Sequence, residues 1–380
     1  MNVGTPLTIA LAVLTVVACG GSDDPTATPT SVTTSITVTT VTDSPAPSSA
    51  TSAPTTAPPT SPPPTSPPST TRATTMTPST PPTSEPAPAA VAPTIRDLID
   101  DGVVMNLAHA GGDQAAPHST PFAFAEAFTA GANALELDVQ LTADGVLVVQ
   151  HDDTVDKTTE ATGPVADLTY DELRALDNAY WFSPECWPCH DRPVEEYVYR
   201  GVRTGEVAPP PGYTADDFVV PTFREIATRF PELPLDIEIK GSFPDAIPAA
   251  EQLAHELTEL DREASVVVVS FDDQIVDVFH ELAPDVAVSP GLGRLTEWFL
   301  DGTALAPHFE VLQLPPFQSG IEVITAEVVQ RIHDEGRVVW VWPDDPSTQE
   351  NEAFYRTLLA DGVDGVIAGR PAEMSAALVD

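Results

Sequence analysis

The chain has 380 residues, and its 16 basic and 57 acidic side chains give a formal net charge of −41. Such a charge argues against a nucleic-acid partner, whose phosphates require Lys and Arg, and against electrostatic docking to anionic lipid. It favours solubility and attracts divalent cations, and the length allows one large domain or two.

The N-terminus predicts export. Residues 5–18 form a mostly apolar run that is too short to cross a bilayer, which needs about 20 residues, and the run is typical of a secretory signal. Small and aliphatic residues precede Cys19, which resembles a bacterial lipobox, although no Lys or Arg precedes the run. The resemblance implies a signal peptide at 1–18 and an exported lipoprotein anchored to the bacterial membrane through a lipid on Cys19. The alternative is an ordinary signal peptide with an incidental cysteine.

Residues 19–93 are rich in Thr, Pro and Ser and contain almost no large apolar side chains. Such a segment cannot bury enough surface to offset the entropy of ordering, so we expect a disordered linker. Its prolines favour an extended chain of ~3.1 Å per residue, which could hold a folded domain far from a membrane.

Residues 94–380 alternate between strand-like apolar runs and amphipathic helical stretches such as 249–260 and 326–336. Repeated strand–helix units predict a parallel sheet covered by helices, and the size is near that of a (β/α)8 TIM barrel. We expect nine strands, at 103–109, 134–139, 146–151, 233–240, 265–271, 285–289, 310–315, 337–342 and 365–369.

Nine strands are one too many for this barrel. The surplus strand is expected beside residues 142–145, which are too few for a helical crossover and predict a hairpin. A tight hairpin would pair Leu141 with Val146, and it would therefore bring His151 opposite Glu136.

Acidic side chains interrupt two of the strands. Glu136 and Asp138 share one face of a strand whose other face is apolar, and Glu238 and Lys240 lie on one face of another strand together with Asp236. Adjacent buried carboxylates repel each other unless protons, basic groups or a metal compensate, and oxygen ligands favour Ca²⁺ or Mg²⁺. The alternatives are exposed acids on a solvent face and a structural ion pair.

Two histidines stand near strand ends, His109 in "NLAHAGG" and His151 in "VVQHDD". A lone histidine at such a position is usually structural. Two histidines beside three acids predict an active site, because TIM-barrel enzymes react at the C-terminal ends of their strands.

Several motifs together resemble the glycerophosphodiester phosphodiesterase family. The segment from "AHAGGDQAAPHST" through "ALELDVQLTADGVLVVQHDD" resembles its H-R-G, P-E-N-T, E-x-D, T-x-D-G and H-D motifs. "DIEIK", "VVWVWP" and "DGVIAGRP" resemble its later strands, so the match covers about 106–371. Each motif is weak alone, and their order and spacing make the resemblance specific. It implies a phospholipase-C-type barrel with an insertion, here at about 154–233.

The resemblance implies a ligand set and a reaction. Glu136, Asp138 and Glu238 would bind the divalent cation, and Lys240 would steady the phosphate. The substrate would be a glycerophosphodiester or a lysophospholipid, cleaved to a glycerol phosphate and an alcohol. His109 and His151 would be general acid and base, with attack by water or by a glycerol hydroxyl.

Two positions depart from the family pattern. Ala110 replaces the expected Arg after His109, and His118 replaces the expected Glu of P-E-N-T. His118 is either a substitute phosphate partner or a loop residue, and the sequence leaves both open.

Aromatic and cysteine positions complete the predicted site. "CWPCH" fits a haem-attachment pattern and could contribute to a zinc site, but an even pair in an oxidising compartment favours a Cys186–Cys189 disulfide. Trp340 is the expected substrate-facing aromatic residue, as in the family, although alternation puts Trp342 on the same face.

Two other functions compete with the leading one. The first is a phospholipase-D-like enzyme of the same barrel group that acts on lipids, although Glu238 and the long insertion favour the leading assignment. The second is a cell-surface binding protein that lost activity. Ala110 and His118 favour it, whereas the retained acids and histidines argue against it.

Overall fold

A computed structural model describes residues 91–184 and 186–379. The predicted signal peptide at 1–18, Cys19 and nearly all of the predicted linker at 19–93 lie outside the described residues. The first described residues already belong to the fold, because the Ala92 N–H donates to the Pro231 carbonyl at 2.9 Å.

Eight parallel strands form a nearly closed barrel, as the sequence predicted. The strands of the described residues are β1 (Met105–Ala108), β2 (Ala134–Leu141), β3 (Leu147–Val149), β4 (Leu235–Ile239), β5 (Val266–Val269), β6 (Ala287–Val288), β7 (Val311–Leu314), β8 (Phe317–Gln318), β9 (Ile321–Glu322), β10 (Val338–Val341) and β11 (Gly365–Ala368). The order of the eight parallel strands around the sheet is β6-β5-β4-β2-β1-β11-β10-β7, and a single parallel bridge from Val288 to Phe309 joins the two ends. β3 pairs with β2 outside this order, and β8 and β9 form a separate hairpin.

The predicted hairpin exists, but its expected register is wrong by one residue. β3 runs antiparallel to β2 and pairs Leu147, not Val146, with Leu141. The Thr142 hydroxyl accepts from the Val146 N–H at 3.0 Å, so a side chain bonds within the turn and adds one residue to the loop. His151 therefore does not pair with Glu136, since a shift of one residue exchanges the two faces of a strand.

Amphipathic helices cover the outside of the barrel. Several helices have a threonine at the N-cap. Two such residues are Thr120 and Thr325, whose hydroxyls accept hydrogen bonds from N–H groups of the first turn. Within 91–184 and 186–379, no helix is long and apolar enough to cross a membrane. The helices are α1 (Ile95–Asp100), α2 (Pro121–Thr129), α3 (Tyr170–Ala175), α4 (Phe223–Arg229), α5 (Ile247–Leu260), α6 (Asp273–Leu282), α7 (Leu292–Asp301), α8 (Ala326–Asp334), α9 (Glu352–Asp361) and α10 (Pro371–Ala377).

Apolar side chains fill the barrel interior at the N-terminal ends of the strands, where Met105, Leu107, Val311 and Ile367 are buried together. Charged side chains replace them toward the C-terminal ends. The barrel therefore has one polar mouth above an apolar plug.

A long segment between β3 and β4, which includes the predicted insertion at 154–233, has little regular structure apart from α3 and α4. An aromatic cluster anchors it to the barrel, because Phe122 of α2 packs against Phe218 and Tyr199 with ring centroids 4.8 and 5.0 Å away. The segment forms one wall of the mouth.

Candidate active site

The acids predicted from the sequence meet on two adjacent strands. β2 and β4 pair Asp138 directly with Glu238, and Glu136 with Asp236. Lys240, just after β4, puts its Nζ 3.3 Å from Asp138 Oδ1 and 3.1 Å from Glu238 Oε1. The parallel register therefore gathers four carboxylates and one ammonium at the polar mouth.

Burial controls the charge of these acids. It raises the pKa of Glu136 well above its ordinary value, and the neighbouring Asp138 carboxylate raises it further. Burial also raises the pKa of Glu238, against the opposing effect of Lys240. At Asp138 the effect of burial is outweighed by Lys240 and two histidines, so its pKa is lowered. Among the four carboxylates of β2 and β4, Asp138 is thus the one whose charged form is favoured.

Asp236 lies one layer below Glu238, at the level of Glu136. Its side chain is fully buried, and its Oδ1 accepts from Gln313 Nε2 at 2.7 Å. Burial raises the pKa of Asp236 to about 8. Asp236 therefore belongs to the polar lining beneath Asp138 and Glu238.

One observation argues against a cation site at these acids, and another argues for it. No three His, Cys, Asp or Glu side chains in the described part of the chain are arranged to ligate one ion. However, Asp138 is 1% exposed, and although Lys240 lies near its Oδ1, its Oδ2 accepts no hydrogen bond. Buried carboxylates that lack donors are the chemistry that a hard oxygen-seeking cation satisfies. The donors are therefore of the oxygen type that a divalent cation prefers, and Lys240 contacts two of them.

The two predicted acid–base histidines meet at the mouth. The rings of His109 and His151 lie edge to face, with centroids 5.3 Å apart. His109 Nδ1 lies 3.3 Å from Asp113 Oδ1, and Gln114 Nε2 donates to the other Asp113 oxygen at 2.8 Å. Burial lowers the pKa of His109, but Asp113, Glu136 and Asp138 outweigh it and raise the pKa to about 10.

Asp113 was not identified from the sequence. It stands four residues after His109, in a turn where two glycines have positive φ. Gly369 leaves room for it, because a Cβ at 369 would lie 2.5 Å from Asp113 Oδ1. The Gly111-Gly112 pair is a recognisable turn signal, but the close approach of Gly369 to Asp113 has none.

His118 lies in the wall of the mouth and is 1% exposed. Its ring centroid is 5.8 Å from that of His151, and its Nδ1 is 3.0 Å from the Ser119 hydroxyl. Burial lowers the pKa of His118 to about 3, with Lys157 and His151 adding to the effect against two aspartates. His118 is therefore neutral near pH 7 in the protein alone, and its role as phosphate partner stays a prediction.

Asp152 and Lys157 also lie in the site, next to His151, and neither was predicted from the sequence. Asp152 Oδ1 lies 3.3 Å from His151 Nδ1, and Asp152 Oδ2 lies 3.4 Å from Lys157 Nζ. Burial raises the pKa of Asp152, but its contacts with His151, His118 and Lys157 outweigh this and lower it. The Asp that directly follows His151 in "HDD" was the available signal for this contact.

Ala110, the position of the missing Arg, adopts a left-handed backbone with φ 45° and ψ 29°. Its N–H donates to Glu136 Oε2 at 2.7 Å, and its methyl group is buried. The backbone here therefore holds a proposed metal ligand.

The insertion contributes an aromatic residue. The sulfur atoms of Cys186 and Cys189 are bonded, which closes a short loop that contains Trp187. The Trp187 ring lies 5.3 Å from that of His118, and Lys157 Nζ is 5.7 Å from its centroid. Trp187 thus lies against the site.

The structure does not support Trp340 as the substrate-facing residue. Trp340 is 3% exposed and packs in the apolar plug with Met105 and Leu107. Trp342 is two residues closer to the mouth and half-buried, and its ring centroid lies 5.9 Å from that of Phe271. Alternation gave both tryptophans the same face, but their depth in the barrel differs by one layer.

Glu350 is a further buried acid near His109 that the sequence did not indicate. Its Oε2 accepts from the Gly369 N–H at 2.9 Å and from the Tyr355 hydroxyl. Burial raises the pKa of Glu350 to about 7, and the charge of Asp113 adds to the increase.

Fold and site together define a class of protein. Acids, a lysine and paired histidines at the C-terminal mouth of a parallel barrel suit an anionic substrate whose reaction moves protons. This is the arrangement of a barrel phosphodiesterase.

Comparison with known proteins identifies the family. Residues 109–373 match the glycerophosphoryl diester phosphodiesterase family, and the chain therefore belongs to it. Glycerophosphodiester phosphodiesterases from Bacillus altitudinis and Caldanaerobacter subterraneus are each 28% identical to it. The matches cover 70% of this chain in both cases, and 94% and 93% of those proteins.

Solved structures share the fold. A glycerophosphodiester phosphodiesterase from Agrobacterium tumefaciens matches 71% of this chain and 98% of its own, with a TM-score of 0.52 and 22% identity. An Oleispira antarctica phosphodiesterase in complex with the product sn-glycerol-3-phosphate matches 74% of this chain and 98% of its own, with a TM-score of 0.51 and 20% identity. These likenesses agree with the (β/α)8 barrel.

Proposed function

We propose that this protein hydrolyses glycerophosphodiesters to glycerol phosphate and an alcohol, with His109 and His151 as general acid and base. The observation that carries the proposal is their approach to 5.3 Å at the mouth where Lys240 and the acids of β2 and β4 converge. Membership of the phosphodiesterase family supports the same reaction.

The side chains have separate tasks in this proposal. A phosphodiester carries negative charge that grows in the transition state, so the Lys240 ammonium attracts and orients it. One histidine accepts the proton of the attacking hydroxyl, and the other donates a proton to the departing alcohol oxygen. Asp113 and Asp152 each lie 3.3 Å from the Nδ1 of one of these histidines and orient the two rings.

We also propose a divalent cation, Ca²⁺ or Mg²⁺, held by Glu136, Asp138 and Glu238. Support comes from the buried Asp138 Oδ2, which accepts no hydrogen bond. When bound, such an ion polarises the phosphoryl oxygen and neutralises its charge. Export and anchoring at the cell membrane through a lipid on Cys19 form part of the same proposal, supported by the apolar run at 5–18.

The test uses the purified full chain with a panel of glycerophosphodiesters and lysophospholipids, in chelator and after addition of Ca²⁺ or Mg²⁺. We expect release of glycerol phosphate that requires the ion and that falls by ~100-fold or more in His109→Ala and His151→Ala. Full activity in excess chelator would contradict the proposed requirement for a divalent cation. Wild-type turnover in the double histidine variant would locate the chemistry elsewhere, and binding without turnover by wild type would favour the inactive binding protein.

A further inference from the structure

A chain of hydrogen bonds connects Asp113, the partner of His109, to the buried acid Glu350. Gln114 Nε2 donates to Asp113 Oδ2 at 2.8 Å, and the Gln114 N–H donates to the Gly369 carbonyl at 3.1 Å. The Gly369 N–H in turn donates to Glu350 Oε2 at 2.9 Å. Glu350 therefore holds the backbone of the residue against which Asp113 lies.

Gly369 is the point where the two acids meet. A Cβ at this position would lie 2.5 Å from Asp113 Oδ1 and 3.0 Å from Glu350 Cδ, so only glycine leaves room for both side chains. Gly369 directly follows β11, whose C-terminal end opens onto the mouth. Its carbonyl is bound by Gln114 and its N–H by Glu350, so these two contacts fix the space that Asp113 occupies.

The charges of the two acids are linked, because neighbouring buried carboxylates repel each other. Burial raises the pKa of Asp113, but its contact with His109 outweighs burial and lowers it. Glu350 is 7% exposed, and burial raises its pKa to about 7. The groups that face Glu350 are Asp113 and His109 from the turn after β1, the Tyr355 hydroxyl of α9 and the Gly369 N–H after β11. Glu350 is therefore the member of the pair that keeps its proton below neutral pH.

We propose that Glu350 is a positioning residue of the reaction, and that as a neutral acid it holds Gly369, and with it Asp113, next to His109. This inference rests on the proposed function, in which His109 transfers a proton. With Glu350 neutral, Asp113 presents a single negative charge to His109. When Glu350 loses its proton, a second negative charge repels Asp113 from Gly369 and makes His109 hold its proton more tightly. Proton transfer by His109 is then slower.

Three variants of the full chain test the proposal. Glu350→Gln keeps a neutral side chain whose oxygen can accept from Gly369 and Tyr355, whereas Glu350→Ala removes these contacts. Glu256→Ala is the matched control, because Glu256 is also buried, with 6% exposure against 7% for Glu350, but lies on α5 on the outside of the barrel. Glu350→Ala should lower kcat roughly tenfold with little change in KM, since the chemical step is affected and binding is not. Glu256→Ala should leave both unchanged.

The pH dependence separates a neutral acid from a merely structural residue. The wild type should lose part of its kcat as pH rises through about 7, because Glu350 ionises, and Glu350→Gln should keep that part. Asp113→Asn combined with Glu350→Ala should be no slower than Asp113→Asn alone, because Glu350 acts through Asp113. Wild-type kcat in Glu350→Ala, additive losses in the double variant, or the same pH profile in wild type and Glu350→Gln would overturn the proposal. If Glu350→Ala does not fold, the profile of Glu350→Gln decides.

Histidine NMR separates this proposal from the proposed function, because it requires no turnover. The His109 signals, assigned by their absence in His109→Ala, should shift as Glu350 ionises near pH 7 in the wild type and in Glu256→Ala. Part of this shift should be lost in Glu350→Gln, and an unchanged shift there would overturn the proposal even in an active enzyme. Failure to cleave any substrate, together with a shift that depends on Glu350, would contradict only the proposed function and would support the link between Glu350 and His109.

Discussion

His109 and Asp113 form a histidine–carboxylate pair at the mouth, with 3.3 Å between Nδ1 and Oδ1. A carboxylate at Nδ1 favours the tautomer and ring orientation that leave Nε2 free to face the substrate. Asp113 thereby acts through His109, and we regard it as a positioning residue.

Asp113→Asn tests this role. The amide oxygen can still accept a hydrogen bond, but the negative charge that raises the pKa of His109 is lost. We expect kcat to fall roughly tenfold or more with little change in KM, because the general acid–base step is weakened. The limb of the pH–rate profile that depends on His109 should move to lower pH, and steady-state kinetics across pH measure both effects.

Asp364→Asn is the matched control, since Asp364 Oδ2 lies 2.9 Å from His333 Nε2 in a pair outside the site. It should leave the pH–rate profile in place. An unchanged kcat and an unchanged profile in Asp113→Asn would restrict Asp113 to holding its turn.

His118 illustrates what a sequence leaves open at the residue scale. Its place in the motif brought it near the site, and it does lie 5.8 Å from His151. Whether it carries charge depends on burial and on Lys157 and Asp152, which approach it from other parts of the chain. A motif fixes residue type and spacing, but not the set of neighbours that determines a pKa.

At the scale of elements, β10 shows that the alternation of side chains along a strand predicts which face a residue lies on, but not how deep in the barrel it lies. Trp340 and Trp342 point to the same side of the strand, yet only Trp340 is buried in the apolar plug. Gly365 on β11 is its neighbour, and a Cβ there would approach Trp340 Cδ1 to 2.8 Å. Trp340 is thus a packing residue.

Trp340→Ala should lower the free energy of unfolding by ~3–5 kcal/mol, because it leaves a cavity in the plug, and it should not change KM for glycerophosphocholine. Chemical denaturation and steady-state kinetics provide the two measurements. Trp342→Ala, at a half-buried position, should cost less stability. A raised KM with a nearly unchanged free energy of unfolding in Trp340→Ala would instead indicate that Trp340 contacts the substrate.

The strands of the barrel could be predicted well because most of them are apolar runs, as burial on both faces requires, and acids interrupt only β2 and β4 among the strands that carry the site. The hairpin could be predicted too, but its register depended on a bond from the Thr142 hydroxyl that hydrophobic patterning does not encode. The segment between β3 and β4 lacks periodicity, so the contact of Trp187 with His118 was not predictable from its own sequence.

For the whole molecule, the buried acids link stability to pH. Burial raises the pKa of Glu136, Glu238, Asp236 and Glu350 above the ordinary values that these groups have in the unfolded chain. Between about pH 4.5 and 8 the folded protein therefore binds more protons than the unfolded chain, and folding stability falls as pH rises.

We predict that the free energy of unfolding in chelator decreases across this range. Saturating Ca²⁺ or Mg²⁺ should reduce the decrease, because a cation favours the charged forms of its carboxylate ligands and binds only the folded state. Denaturant titrations at several pH values would measure this. A decrease of the same size with and without the ions would argue against the proposed ligand set.

Glu350→Gln is the control for this prediction, because Glu350 is buried but is not a proposed ligand. Because the pKa of Glu350 is about 7 in the folded protein, this residue should account for roughly 3 kcal/mol of the decrease in the free energy of unfolding as pH rises. Glu350→Gln should remove this contribution whether or not the cation is present.

The junction between β6 and β7 has a consequence for local opening. β6 contains only two residues and meets the next part of the barrel through the single bridge from Val288 to Phe309, whereas β2 and β4 pair over five positions. Separation at this junction breaks the fewest backbone hydrogen bonds, so we expect amide hydrogens at 287–289 to exchange with solvent sooner than those of β2. Phe271 follows β5 and Phe317 follows β7, so an exposed aromatic side chain stands on either side of the part of the barrel that opens at the lowest free-energy cost.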